Sequence, residues 1–161
     1  MTTLLMPDSP ASLAHTGTPS GCLPEGFEPL RVTTGFIPSC GGFFLHRERP
    51  VLAVKVLPEH LNVLGIAHGG FLATFADTAF GAIIRRETHC MATPTVHLGV
   101  DYIAAVRPGV WLEAHVTLVK AGRRLTNATC VATAEGRTVL HANGVFYMGA
   151  PHHAAPDPAD A

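Results

Sequence analysis

One carboxylate stands in the middle of a segment that is otherwise almost entirely apolar. Asp77 lies between Phe75 and Phe80 in a run of Ala, Phe, Leu and Ile residues. An ionised carboxylate that leaves water without a partner costs several kcal/mol, so Asp77 is a candidate base or nucleophile in a drier cleft. The alternative is a hydrated stripe in which Asp77 faces water or pairs with Arg85, two turns further along a helix.

A second group of candidates precedes this segment. His68, Gly69 and Gly70 stand where a helix would begin, and a helix start presents unsatisfied backbone N–H groups that a ligand can approach closely at glycine. Such groups can hold a carbonyl oxygen that becomes an oxyanion, or the glycines only form a tight entry turn. His68 is either a loop histidine with local partners or a polar contact to that carbonyl. Asn62 either forms an Asx-turn or orients a water or a thioester.

The spacing of these candidates has a geometric consequence. Gly69 and Asp77 are eight positions apart, which is ~12 Å along a helix axis. An oxyanion donor and a base or nucleophile must both lie within about 3–4 Å of the reacting carbonyl. If both act in one site, they come from different chains. Two such helices running antiparallel about a two-fold axis would form two equal sites.

The elements that must position these residues follow from the hydrophobic pattern. Residues 69–87 predict a helix that is apolar on nearly all sides and therefore buried on nearly all sides. Its polar exceptions share one narrow stripe: Thr74, Asp77, Thr78, Gly81 and Arg85. Alternating β-branched runs and short Gly-containing connections predict antiparallel strands at 42–46, 51–57, 95–103, 111–120, 124–134 and 138–148. On the 111–120 strand, the face that carries Leu112, Ala114, Val116 and Leu118 is predicted to be the apolar one.

This order of elements predicts an α+β fold with one long central helix and a curved antiparallel sheet wrapped around it. Because the sheet cannot enclose the whole helix, a partner chain is expected to cover the rest. The flanks, 1–24 and 150–161, are rich in Pro, Ala, Asp and Ser and lack periodicity, so they are predicted to be a flexible arm and tail. The folded domain is predicted at 25–149.

Composition excludes several classes of function. The 161 residues carry 11 Lys and Arg against 12 Asp and Glu, a net charge of -1, which favours neither nucleic acid nor an anionic membrane surface as a partner. Charged residues make up 14% and apolar residues 47%, and this surplus of apolar surface favours an oligomer. No apolar run is long enough for a membrane span, and the N-terminus lacks signal-peptide features. Four scattered cysteines without a C-x-x-C pair predict free thiols in the cytoplasm.

Other chemistries are poorly supported. His60, His68, His89 and Cys90 lack the spacing of a metal site, so none is predicted. The sequence has no G-x-S-x-G motif for a nucleophilic serine, and Cys90 and Cys130 are interpreted as structural thiols.

The quoted residues resemble a known family. The segment H-L-N-V-L-G-I-A-H-G-G-F-L-A-T-F-A-D-T-A at 60–79 is similar to the signature of hotdog-fold acyl-CoA thioesterases, in the phenylacetate-degradation and thioesterase superfamily member branch. T-V-H-L-G-V-D-Y-I-A-A-V-R-P-G at 95–109, V-K-A-G-R-R-L-T-N-A-T-C-V-A at 119–132 and E-G-R-T-V-L-H-A-N-G-V-F at 135–146 continue the similarity. It covers roughly residues 36–149.

The resemblance implies a role for each candidate. Asp77 matches the catalytic carboxylate, Gly69 the glycine whose amide binds the thioester oxygen, and His68 with Asn62 the polar pair around that carbonyl. Thr95 matches the Ser or Thr near the carboxylate, contributed with it by the second chain. The resemblance also implies an acyl-CoA substrate, no metal or redox cofactor, and hotdog dimers that assemble into a homotetramer.

Two alternatives and one binding question accompany this interpretation. A non-catalytic acyl-CoA-binding protein of the same fold would not need Asp77 together with Asn62, His68 and Gly69. A hotdog dehydratase would need a D-x-x-x-x-H pattern, but Ala82 stands five residues after Asp77. Three arginines lie at strand ends: Arg107, Arg123 and Arg124. They either contact the phosphates of coenzyme A or are hydrated hairpin charges. Arg123 and Arg124 are the predicted coenzyme A-binding residues.

Overall fold

The described part of the chain, residues 23–149 of a computed structural model, contains one α-helix and seven strands. The strands are β1 (Phe27–Pro29), β2 (Phe43–His46), β3 (Val51–Lys55), β4 (Thr95–Tyr102), β5 (Trp111–Ala121), β6 (Leu125–Ala134) and β7 (Arg137–Tyr147). The helix, α1, spans Gly69–Thr88, and two short 3-10 helices span Ile37–Cys40 and Pro58–His60. Except for Leu23 and Pro24, the predicted arm at 1–24 lies outside the described residues, as does the predicted tail at 150–161.

All neighbouring strands of the single sheet are antiparallel, in the order β1-β2-β3-β5-β6-β7-β4. The strand that follows the helix, β4, pairs with β7 and is an edge of the sheet. This architecture confirms the predicted α+β class, with one helix for a whole antiparallel sheet. The short strand β1 was not predicted, because three residues that include Pro29 are too few for an alternating pattern.

The helix fills the concave side of the sheet with an almost continuous apolar surface. Its buried residues are Leu72, Phe75, Ala76, Ala79, Phe80, Ala82, Ile83 and Ile84. The ring of Phe80 lies 5.3 Å from that of Phe146 on β7, and Leu112, Ala114 and Val116 of β5 face the same core as predicted. The polar stripe at Thr74, Asp77, Thr78, Gly81 and Arg85 is only half buried in the single chain. The sheet therefore leaves uncovered the side of the helix that carries Asp77.

Tight hairpins set the register of the last three strands. Between β6 and β7 the two central residues, Glu135 and Gly136, have φ values of 51° and 76°. Positive φ at both positions is the geometry of a type I′ turn, whose twist matches that of paired strands. As a result Arg137 lies directly opposite Ala134 at the start of β7.

No helix within residues 23–149 is long and apolar enough to cross a membrane.

Replacing Phe80 by Ala tests the dependence of the fold on the helix–sheet core. Phe80 is fully buried, and truncation of a buried Phe typically costs about 3–5 kcal/mol. We expect a loss of this size in urea unfolding at constant protein concentration. Phe36→Ala is the matched control, because the Phe36 side chain is 66% exposed and its loss should change stability by less than about 0.5 kcal/mol. Equal losses in the two variants would contradict this assignment of the core.

Candidate functional site

The start of α1 presents a backbone donor, the Gly69 N–H, from which no residue between 23 and 149 accepts a hydrogen bond. His68 precedes the helix in an extended conformation, and its Nδ1 accepts a hydrogen bond from the Gly70 N–H at 2.9 Å. The N–H of Gly69, the first helical residue, makes no hydrogen bond to any residue between 23 and 149. Because the first N–H groups of a helix lie at the positive end of its dipole, this free donor favours an anionic or polarised oxygen.

Tyr102, at the end of β4, fixes the position of Gly69. Its hydroxyl donates a hydrogen bond to the Gly69 carbonyl at 2.9 Å. A Cβ at position 69 would lie 3.4 Å from the Tyr102 ring, in ordinary contact, so the ring lies directly beside the start of the helix. Tyr102 is not among the site residues predicted from the sequence. Its place at the end of a predicted strand, inside the segment that resembles the family, is the signal that points to it.

Asn62 belongs to the loop that leads into the helix. Its Oδ1 accepts a hydrogen bond from the Leu64 N–H at 2.9 Å, which is the Asx-turn considered from the sequence. Asn62 also lines a cavity of about 280 Å³ together with Gly69 and Tyr102. The structure thus places Asn62, Gly69 and His68 at the same end of the helix.

Asp77 and Thr95 meet on the open side of the helix, and Asp77 lies about two turns after Gly69. The Thr95 hydroxyl, on the edge strand β4, donates to Asp77 Oδ1 at 2.7 Å. Arg85 instead donates through Nε to the carbonyl of Gly81, and no ion pair joins it to Asp77 in the described part of the chain. The alternative of an Asp77–Arg85 pair is therefore wrong, since the partner of Asp77 is a neutral hydroxyl.

One chain consequently carries two half-sites, held apart by a rigid helix. The first consists of Asn62, His68 and Gly69, and the second of Asp77 and Thr95. Eight helical positions separate Gly69 from Asp77, or ~12 Å along the axis. Neither half-site alone combines a carbonyl-oxygen donor with a carboxylate.

A second cleft opens beside the helix start. It has a volume of about 500 Å³, and its lining includes His68, Gly70, Phe71 and Thr74 as well as the ring of His60. His60 is buried and stacked on Phe71 at 3.9 Å between ring centroids, and its Nδ1 accepts from the Leu57 N–H at 3.0 Å. Burial lowers the pKa of His60, against the opposing effect of the Glu59 carboxylate. His60 is thus a neutral, structural member of the cleft wall.

The two arginines selected from the sequence lie elsewhere. Arg123 and Arg124 are exposed in the β5–β6 hairpin, and the Arg124 carbonyl accepts from the Met148 N–H just after β7. This is the end of the sheet at which β4 begins with Thr95, opposite the Tyr102 end. Among residues 23–149 no group of three or more His, Cys, Asp or Glu side chains could hold a metal ion.

Comparisons with known proteins identify the family. A "Putative esterase" of Pseudomonas aeruginosa is 35% identical over 132 residues, which cover 78% of this chain and 97% of that protein. The family model described as "Thioesterase superfamily" matches residues 64–141. The chain belongs to the thioesterase superfamily. It is a thioester hydrolase, and the matched segment includes His68, Gly69, Asp77 and Thr95.

Solved structures place this thioesterase within the hotdog fold, as the resemblance implied. A mutant form of phenylacetic acid degradation protein PaaI from Thermus thermophilus is 25% identical, with a TM-score of 0.58, over 77% of this chain and 94% of that one. A Bacillus halodurans protein solved with CoA is 26% identical, with a TM-score of 0.58, over 62% of this chain and 66% of that one.

The buried His60 gives this thioesterase a specific pH dependence. Between its lowered folded pKa and the ordinary value of 6.5, the unfolded chain binds the proton and the folded chain does not. The neutral His60 side chain therefore contributes its full stabilisation of the folded chain above pH 6.5. This contribution is lost as the pH falls through the pKa of His60 in the folded chain. In His60→Asn, Oδ1 replaces Nδ1 as acceptor and this titration disappears. Urea unfolding from pH 7.5 to 5.5 should show a steeper loss in wild type than in the variant; parallel curves would contradict the assignment.

Proposed function

We propose that this thioesterase hydrolyses an acyl- or aryl-acyl-CoA to the free acid and coenzyme A. The observation that carries the proposal is the hydrogen bonding at the start of the helix. His68 Nδ1 accepts from the Gly70 N–H, and no residue between 23 and 149 accepts from the Gly69 N–H, which can therefore hold the thioester oxygen. The Bacillus halodurans relative, solved with CoA, supports coenzyme A as the thiol portion of the substrate. The reaction consumes only the thioester and water, with no metal or redox cofactor.

The hydrogen bond that His68 Nδ1 accepts supports a role for this imidazole at the substrate carbonyl. Because Nδ1 accepts from the Gly70 N–H, a neutral ring carries its proton on Nε2. That N–H can donate to the substrate carbonyl beside the Gly69 amide, while the side-chain amide of Asn62 orients the thioester or the attacking water. Charge that develops on the carbonyl oxygen is then met by fixed donors, which is the largest contribution in many acyl transfers.

Asp77 is the general base or the nucleophile of the reaction. The hydrogen bond that Thr95 donates to Asp77 Oδ1 fixes the orientation of the carboxylate. As a general base, Asp77 takes a proton from water, whose oxygen attacks the carbonyl carbon. The tetrahedral intermediate then expels the thiolate of coenzyme A, which takes up a proton. As a nucleophile, Asp77 instead attacks the carbonyl carbon and forms an acyl anhydride as the C–S bond to coenzyme A breaks. The released thiolate takes up a proton, and water then hydrolyses the anhydride to the free acid and the Asp77 carboxylate. Both routes need the carboxylate within reach of the carbonyl held at Gly69.

We propose that two chains bring the half-sites together. The edge strand β4 carries exposed residues from Thr95 to His97, and an unpaired edge is a ready template for pairing with another strand. Antiparallel pairing of two β4 strands would lay Thr95 and Asp77 of one chain beside Tyr102 and Gly69 of its partner. The same contact would cover the half-exposed polar stripe of the helix. Such homodimers would assemble further into a homotetramer.

We also propose a cytoplasmic location for this assembly. The three cysteines among the described residues, Cys40, Cys90 and Cys130, are free, which is typical of a reducing compartment. Burial raises the pKa of the Cys130 thiol to about 12, so this thiol stays protonated and unreactive at neutral pH.

Asp77→Asn tests the catalytic role of the carboxylate. The amide keeps the shape of the side chain and can still accept from Thr95, but it cannot serve as base or nucleophile. We expect hydrolysis of a panel of aryl- and alkyl-CoA thioesters to fall by ~10²–10⁴-fold, while circular dichroism and oligomeric state stay unchanged. The matched control is Asp101→Asn at the exposed Asp101 of β4, which should keep wild-type turnover. Substantial turnover in folded Asp77→Asn would exclude Asp77 from catalysis, whereas CoA binding without turnover in wild type would favour a binding protein.

Mixed dimers test the shared site. Gly69→Pro removes the N–H and suits the local backbone, because Pro is common at the first helical position and His68, with φ -65° and ψ 137°, has the conformation of a residue before Pro. Its Cβ would lie in ordinary contact with the Tyr102 ring, at 3.4 Å. Gly69→Pro and Asp77→Asn homodimers should each be inactive. After dissociation and reassembly together, the mixture should regain about a quarter of wild-type activity, since half of the dimers then contain one intact site. Reassembly of each variant alone is the control; no recovery in verified mixed dimers would refute the shared site.

A further inference from the structure

Two arginines that are distant in sequence line one cavity at the Tyr102 end of the sheet. Arg107 lies in the loop after β4, and Arg137 is the first residue of β7. Both border a cavity of about 370 Å³. Neither arginine forms an ion pair with a carboxylate within residues 23–149, so their charges are available to a ligand.

This arginine cavity adjoins the first half-site. Ala104, Ala105 and Val106 line both the arginine cavity and the cavity that contains Asn62, Gly69 and Tyr102. These three residues are small or apolar, and the Val106 carbonyl accepts from the Ala67 N–H just before the helix. These small or apolar residues therefore connect the cavity that contains Gly69 with the cavity that Arg107 and Arg137 border.

The two adjoining cavities offer different groups to a ligand, and together these groups fit a thioester of coenzyme A. Planar guanidinium groups bind phosphate with paired, charge-assisted hydrogen bonds. The helix start offers a donor to a carbonyl oxygen, and the segment between them offers no charge. Glu135, which also lines the arginine cavity, is the one carboxylate there and opposes the binding of an anion.

We propose that Arg107 and Arg137 bind the phosphate groups of the coenzyme A portion of the substrate. The pantetheine arm then crosses the segment 104–106 and delivers the thioester to the Gly69 amide. This inference rests on the proposed function. It assigns the phosphates to arginines at the same end of the sheet as Gly69, whereas Arg123 and Arg124 lie at the opposite end of the same chain.

The kinetic test compares two thioesters of the same acyl group, one with coenzyme A and one with N-acetylcysteamine, which has no phosphate. In Arg107→Ala and Arg137→Ala, the KM for the acyl-CoA should rise about 10-fold each, as expected for the loss of one charge-assisted contact, with kcat nearly unchanged. The KM for the N-acetylcysteamine thioester should not change. Glu135→Gln should lower the KM for the acyl-CoA, because it removes the opposing charge.

Arg31→Ala and Arg47→Ala are the matched controls and should leave both KM values unchanged, because both residues are exposed and line neither cavity. Equal losses with both thioesters would indicate a structural defect and overturn the inference. No loss with the acyl-CoA, or a loss confined to the control variants, would overturn it as well.

Calorimetric binding of coenzyme A and of adenosine 3′,5′-bisphosphate separates this inference from the proposed function. If wild type binds both but hydrolyses no thioester, and Arg107→Ala with Arg137→Ala abolishes binding, the phosphate site stands and the proposed function fails. If wild type hydrolyses acyl-CoA and the double variant binds both ligands as tightly as wild type, the function stands and the phosphate site fails. Failure of wild type to bind either ligand refutes the phosphate site.

Discussion

Burial of one apolar helix against one curved sheet is the constraint on which the rest of the structure depends. A seven-stranded sheet can cover most of α1, yet it leaves open the side with Thr74, Asp77 and Thr78. The Asp77 carboxylate is tolerated on this apolar helix because the sheet does not bury it and because the Thr95 hydroxyl donates a hydrogen bond to it at 2.7 Å. The same incomplete coverage leaves the edge strand β4 free for a second chain.

The helix start shows how local hydrogen bonding prepares a site. One imidazole nitrogen, His68 Nδ1, accepts from the Gly70 amide, whereas no residue between 23 and 149 accepts from the Gly69 amide. The Tyr102 hydroxyl then fixes the Gly69 carbonyl on the other side of the same peptide. Donors held in this way need no reorganisation when charge develops on a substrate oxygen, which is why such preorganisation lowers activation barriers.

The low overall charge makes the few unpaired cations informative. Only 14% of residues are charged, and Arg86, for example, already pairs with Glu87 at 2.8 Å. Arg107 and Arg137 differ because they border a shared cavity and no carboxylate in the described part of the chain forms an ion pair with either of them. Because these arginines are far apart in the sequence, their shared cavity could not be predicted from it. The cavity forms where the β6–β7 turn and the loop after β4 meet at one end of the sheet.

The sequence by itself determined the helix, six of the seven strands, the fold class and the candidates Asn62, His68, Gly69, Asp77 and Thr95, because hydrophobic period, glycine and the family signature are local properties. Only the tertiary structure decided that Asp77 meets Thr95 rather than Arg85, that Tyr102 holds Gly69, and that Arg107 and Arg137 share a cavity. These relations join residues between 18 and 33 positions apart, through strand pairing and register. Sheet geometry, rather than any local pattern, fixes which of these side chains meet.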